Sequence, residues 1–219
     1  MSVVCKNACK AIKGNLILSD VCFSANTGEI VGIMGRNGSG KSMLLKSICG
    51  LIKLDRGTIY INNIQLDLME HMDEVGALIE HPSLIPDMNG LDTLLTLAYI
   101  KKRTTKNKII ELMKNFDLDP QNKTRCRSLS LGMRQKLGII AATMEHPRIL
   151  LLDEPFNNLD ELSAFKVREL LLQLNKQLNT TIIIAGHDRK ELTNLCSKLF
   201  MMNNGTLEEC ALWNQFGKL

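Results

Sequence analysis

The chain has 219 residues, 45% of them hydrophobic and 23% charged, which is enough for one large domain with a single core and too few for two. No apolar run is long enough to span a bilayer, and Met1-Ser2-Val3-Val4-Cys5-Lys6 lacks the apolar core of a secretory signal; both argue against a membrane-spanning chain and predict a cytoplasmic one. A net charge of +4 spread along the chain, with 4% aromatic residues, offers neither a basic stripe nor stacking platforms for nucleic acid, and seven cysteines without a C-x-x-C pair match a reducing compartment.

The first segment reads as short strands joined by turns: Val3-Val4-Cys5, Leu16-Ile17-Leu18 and Val21-Cys22-Phe23, then the turn Asn26-Thr27-Gly28. Cys5 and Cys9, the closest cysteine pair, read as packing residues, since no nearby cluster completes a zinc site. The apolar run Glu29 to Met34 predicts a buried strand that feeds Gly35-Arg36-Asn37-Gly38-Ser39-Gly40-Lys41-Ser42. That octet fits G-x-x-x-x-G-K-[ST] in full. Its glycines let successive backbone N–H groups and a helix N-terminus converge on one anion; Lys41 is placed for the β- and γ-phosphates and Ser42 for a magnesium ion. Leu44, Leu45 and Ile48 give the following helix its apolar face, and Gly50 its stop.

Asp55-Arg56-Gly57 turns into Thr58-Ile59-Tyr60-Ile61, and Asn62-Asn63 turns again into Ile64-Gln65-Leu66, a hairpin signal. Val75 to Ile79 reads as another buried strand, ended by Glu80-His81-Pro82. From Gly90 to Phe116 the apolar spacing is helical, broken by the basic stretch Lys101 to Lys106, which reads as a solvated connection. A helix from Gly132 to Met144 precedes the strand Ile149 to Leu152, which runs directly into Asp153 and Glu154. Asp160 is a candidate N-cap for the amphipathic helix that carries Leu162 to Leu178. Thr181 to Ala185 is a further buried strand, ending in Gly186-His187-Asp188; a short helix around Glu191 to Cys196 and a hairpin turning at Asn203-Asn204-Gly205 close the chain.

Three apolar strands therefore end in groups that phosphate chemistry requires. Lys41 follows the first; Asp153, suited to hold magnesium, and Glu154, suited to act as general base on water, follow the second; His187, suited to contact a γ-phosphate, follows the third. Strands alternating with helices predict a mostly parallel covered sheet with ligands at the carboxyl ends of its strands.

With these residues assembled, the chain resembles the ATP-binding subunit of ABC transporters over essentially its whole length. Leu129-Ser130-Leu131-Gly132-Met133 is similar to the family signature L-S-G-G-Q, with Leu131 and Met133 standing in place of a glycine and a glutamine. The resemblance implies several things. The fold is an α/β P-loop NTPase core with a mostly parallel sheet, an N-terminal antiparallel β portion and a helical insertion from about residue 84 to 145, all in one domain over 1–219. ATP and Mg2+ are bound, and Ser130 and Gly132 contact the γ-phosphate held by a second ATPase subunit in a head-to-tail dimer. Asn157-Asn158-Leu159-Asp160 links the two sites, Ile12 stands where an aromatic commonly stacks on adenine, and a separate membrane permease places the subunit on the inner face of the cell membrane. Glu80 stands where the family has a magnesium-contacting glutamine; with Val75 to Pro82 and the Leu129 to Met133 signature, it is similar to the bacitracin-resistance and lantibiotic-immunity branch. The single set of motifs and the absence of a heptad run between Ser42 and Leu129 count against two-cassette ribosomal and coiled-coil chromosomal ATPases, and Glu154 counts against a scaffold that only binds nucleotide.

Overall fold

Two sheets organise the computed structural model, which describes residues 3–66 and 74–210. The first is antiparallel, in the order β2-β1-β4-β5, from β1 (Val3–Ile12), β2 (Asn15–Ala25), β4 (Arg56–Ile61) and β5 (Ile64–Gln65). The two runs Leu16–Leu18 and Val21–Phe23, expected as separate strands, belong to the single strand β2. Asn7 and Asp20 take positive φ where the β1–β2 register shifts, and Asn7 Nδ2 donates to Asp20 Oδ1 at 3.1 Å. Such a bulge keeps one strand continuous while re-phasing its inward face. Arg56, expected in a turn, opens β4 and pairs with Cys9.

The second sheet has the order β10-β9-β3-β8-β7-β6: β3 (Ile30–Met34), β6 (Val75–Leu78), β7 (Ile149–Asp153), β8 (Thr181–Gly186) and β9 (Lys198–Asn203) run parallel, and β10 (Thr206–Glu209) pairs antiparallel with β9. Every residue of β7 and β8 is buried. Alternation along these strands divides them between two cores. Ile30, Leu150, Leu152, Ile182 and Ile184 face a layer made by α2 (Gly90–Lys101), α3 (Lys106–Asn115), α4 (Leu131–Thr143) and α5 (Glu161–Leu178). Val31, Ile33, Ile149, Leu151, Ile183 and Ala185 face α1 (Lys41–Ile48) and the inner face of the antiparallel sheet. Burying a Leu or Ile side chain contributes about 1.5–3 kcal/mol, so this double burial outweighs any single cap or surface ion pair.

Two helix ends lie where the sequence places them. Asp160 caps α5, accepting from the Ser163 amide at 2.7 Å, and Gly50 takes φ 68° after α1. Helix α4 begins at Leu131, one residue earlier than expected, with Ser130 as its N-cap; α6 (Arg189–Leu195) begins two residues before the expected Glu191, where Asp188 caps its first amides. No helix among the described residues is long and apolar enough to cross a membrane.

Candidate active site

The strand order sets three functional segments side by side. β8 lies between β3 and β7, so the residues that follow all three emerge at one edge of the sheet. Their backbones are tied together there: the Gly35 amide donates to Gly186 O at 3.2 Å and the Glu154 amide to Ala185 O at 2.8 Å. A cavity of about 590 Å3 opens at this edge, lined by Asn37, Gly38, Lys41, Ser42, Asp153 and Glu154 among others.

The loop after β3 wraps toward the N-terminus of α1. Gly40, its N-cap, has φ 114°, and a Cβ there would come within 2.9 Å of Ile17 O, so only glycine brings the chain into the helix at this angle. Lys41 is 5% exposed; its ammonium donates to the carbonyls of Gly35 at 2.7 Å and Arg36 at 3.2 Å and lies 3.7 Å from Glu154 Oε1. Two of its three N–H groups thus hold the loop in shape, and its charge faces the cavity.

Asp153, the last residue of β7, is 4% exposed and its Oδ1 has no hydrogen-bond partner. Burial pushes its carboxyl above the ordinary range, against the opposing pull of the Ser42 hydroxyl and the Glu80 backbone amide; Glu154 raises it and Lys41 lowers it. A buried carboxylate oxygen lacking a donor, beside a serine hydroxyl, is a hard oxygen pair of the kind a small divalent cation accepts. A stability consequence follows. The native state binds the Asp153 proton more tightly than the unfolded chain does, so this group favours folding at low pH and its contribution is lost as pH rises through the raised folded-state value. Without nucleotide or divalent cation, Asp153→Asn is therefore expected to raise the melting temperature at pH 7–8, with the gain shrinking as the pH is lowered toward the carboxylate range. Calorimetry across that range checks this, and a lower melting temperature for the variant at pH 8 would refute a burial cost at this position.

Glu154 turns the chain out of β7 at φ 48°. Its Oε2 lies 2.8 Å from His187 Nδ1, while Oε1 is buried without a hydrogen-bond partner and faces Lys41. An ionised carboxylate can only accept, so Nδ1 carries the proton of this pair. The arrangement holds a carboxylate oxygen free beside a cation, which is what drawing a proton from water next to a phosphate requires.

The remaining predicted residues are spread around this centre. The carboxylate of Glu80 reaches Lys46 of α1 at 2.5 Å, while its backbone amide serves Asp153. Ile12 closes β1, 41% exposed and opposite Asn15, and is not among the residues lining the Lys41 cavity, which include Ile17 of β2. Ser130 accepts from the Met133 amide at 3.2 Å through its oxygen, which leaves its hydroxyl proton to donate outward. Leu131 is exposed, so a bulky residue in the place of the usual glycine meets no clash within the chain. Ser130 and Gly132 open α4 and are not among the residues lining the Lys41 cavity. Sequence reasoning missed the role of Gln135, whose amide nitrogen bonds the carbonyls of Glu154 and Pro155; its place one turn after Gly132 was the available signal.

The sequence profile of the ABC transporter family matches residues 18–157. The chain belongs to that family. This ATP-binding subunit is 38% identical over 207 residues to the uncharacterized ABC transporter ATP-binding protein YybJ of Bacillus subtilis, an alignment covering 92% of the chain and 93% of YybJ. It is 34% identical over 189 residues to the bacitracin transport ATP-binding protein BcrA of Bacillus licheniformis, covering 85% of the chain and 62% of BcrA. Among solved structures, the dimeric cassette MJ0796 superposes with a TM-score of 0.86 at 28% identity, over 94% of the chain and 96% of MJ0796. A post-hydrolysis dimer of that cassette, bound to ADP and Pi, gives 0.85 at the same identity, over 94% and 98% of the two chains. The ABC ATPase is accordingly an ATP-hydrolysing enzyme with the α/β cassette fold expected from its motifs.

Proposed function

We propose that this ABC ATPase hydrolyses ATP at sites shared by two copies and so powers a separate membrane permease that expels an antimicrobial peptide of the bacitracin or lantibiotic kind. Each ATP lies between the Gly35–Ser42 loop of one subunit and Ser130 and Gly132 of the other, a closed two-fold arrangement in which each copy supplies both halves. The MJ0796 dimers support the pairing. Lys41 neutralises the β- and γ-phosphates, and the first-turn amides of α4, at the positive end of its dipole, meet the γ-phosphate from the other side. Ser42 and Asp153 hold Mg2+, which when bound offsets charge on the phosphate oxygens. Glu154 takes the proton of the attacking water while His187 orients its carboxylate. The observation that carries the hydrolytic reading is the Glu154 carboxylate, with one oxygen fixed by His187 at 2.8 Å and the other 3.7 Å from Lys41.

The peptide reading rests on the likeness to bacitracin transport proteins and on Glu80. Glu80 lies half-exposed in an ion pair with Lys46, a residue that also lines the phosphate cavity. An exposed pair of this kind contributes about 0–1 kcal/mol, so its loss leaves the fold intact. Because Lys46 already neutralises the carboxylate, Glu80→Gln is expected to keep ATPase activity within about tenfold, or about 1.4 kcal/mol of barrier. In cells carrying the permease the same variant lowers peptide resistance, measured as the inhibitory concentration of bacitracin or a lantibiotic. Resistance unchanged by both Glu80→Gln and Glu80→Ala would remove the coupling role of this residue and the main support for a peptide cargo.

A further inference from the structure

Gln135 is a buried side chain, 7% exposed, on the second turn of α4. Its amide nitrogen donates to Glu154 O at 3.2 Å and to Pro155 O at 3.0 Å. A primary amide carries two N–H groups, enough to serve both carbonyls. On the other side, the Glu154 amide is bonded to β8 through Ala185 O at 2.8 Å. Glu154 therefore sits between two anchors in the left-handed region at φ 48°, a conformation that a residue with a Cβ keeps only where its surroundings impose it.

The same helix begins with Ser130 and Gly132. Gly132 and Gln135 are three residues apart and share a face of α4. That face lies against the segment after β7: a Cβ at Gly132 would come within 2.7 Å of Asn158 O. Helix α4 thus meets residues 154–158 at two points, its signature turn on Asn158 and its second turn on Glu154 and Pro155. We propose that Gln135 is a positioning residue, which ties the backbone turn of Glu154 to the signature end of α4 so that the base of one site takes its working geometry when the other subunit's nucleotide engages Ser130 and Gly132. The inference rests on the reading of Glu154 as base. Gln135 touches no reacting atom and acts through geometry alone. Its loss is therefore felt in turnover, while nucleotide affinity, which depends on the loop from Gly35 to Ser42, stays as it was.

The test uses Gln135→Met, which keeps the unbranched shape and removes both donors, with steady-state ATPase kinetics, titration with a fluorescent ATP analogue and thermal melting. A misplacement of about 1 Å can cost on the order of a hundredfold in rate, so kcat is expected to fall at least tenfold with KM and analogue affinity within about twofold. In single-turnover measurements, Gln135→Met combined with Glu154→Gln is expected to be no slower than Glu154→Gln alone, because the positioned group is already gone. Parental kcat in Gln135→Met, or a further tenfold loss in the double variant, overturns the positioning role while leaving the base reading intact. Parental turnover in Glu154→Gln overturns both. Should Gln135→Met not fold, Gln135→Lys and Gln135→Glu carry the test: retained kcat in the first, which keeps a donor, with loss in the second supports the proposal, and equal losses overturn it.

Discussion

Alanine at Lys41 is expected to lower ATP turnover by at least a hundredfold and to weaken nucleotide binding to a similar degree. The ammonium is buried at 5% exposure and is the cation nearest the free Glu154 oxygen. Hydrogen bonds to charged groups contribute about 1.5–3 kcal/mol each, so losing contacts to two phosphates costs about 3–6 kcal/mol. At about 1.4 kcal/mol per decade this is about a hundredfold to ten-thousandfold. The substitution also removes the donor held by the Gly35 and Arg36 carbonyls at 2.7 and 3.2 Å, which loosens the loop itself. Steady-state ATPase assays with nucleotide titration check this. Near-parental turnover would mean that the phosphates are held elsewhere, and the two-subunit site built on this loop would be lost with it.

Glu154→Gln separates binding from chemistry. Glutamine preserves the shape of the side chain and can still meet His187, but it cannot accept a proton from water. General-base catalysis contributes about a hundredfold to ten-thousandfold, so turnover falls by about that factor. Nucleotide binding persists, since Lys41, Ser42 and Asp153 are untouched. With binding retained and hydrolysis slowed, the variant accumulates as an ATP-bound dimer, visible by size-exclusion chromatography in the presence of ATP and Mg2+. A variant that stays monomeric with ATP and hydrolyses at the parental rate would refute both the role of Glu154 and the sharing of the site.

Much of the candidate site was legible because a phosphate-binding motif is written in contiguous backbone. The spacing of Gly35, Gly40 and Lys41 is itself the loop geometry, and the abrupt change from Leu152 to Asp153 and Glu154 marks a buried strand meeting a polar edge. The full burial of β7 and β8 follows from their unbroken apolar runs, since only a strand covered on both faces tolerates such a sequence. Contacts that depend on orientation were not legible. The resemblance implies a magnesium contact for Glu80; no local signal shows that at φ 61° its backbone amide bonds Asp153 while its carboxylate pairs with Lys46, 34 residues away. Nor does local patterning show that Ile17 lines the Lys41 cavity while Ile12 does not, because the pairing of β1 with β2 shifts register along its length.

Local chemistry in the sequence determined the family, the G-x-x-x-x-G-K-[ST] loop, the candidate carboxylates and histidine at the strand ends, and the alternation of strands and helices, since each of these is carried by residues adjacent in the chain. The tertiary structure alone decided which strand ends become neighbours. Inserting β8 between β3 and β7 brings His187 to Glu154 across 33 residues of chain, and packing α4 on the segment after β7 brings Gln135 to the backbone of the same residue. The positive φ of Glu154 belongs to this second class. No propensity of glutamate favours it, and it persists because β8 on one side and α4 on the other supply hydrogen bonds that only the assembled sheet and helix layer can place.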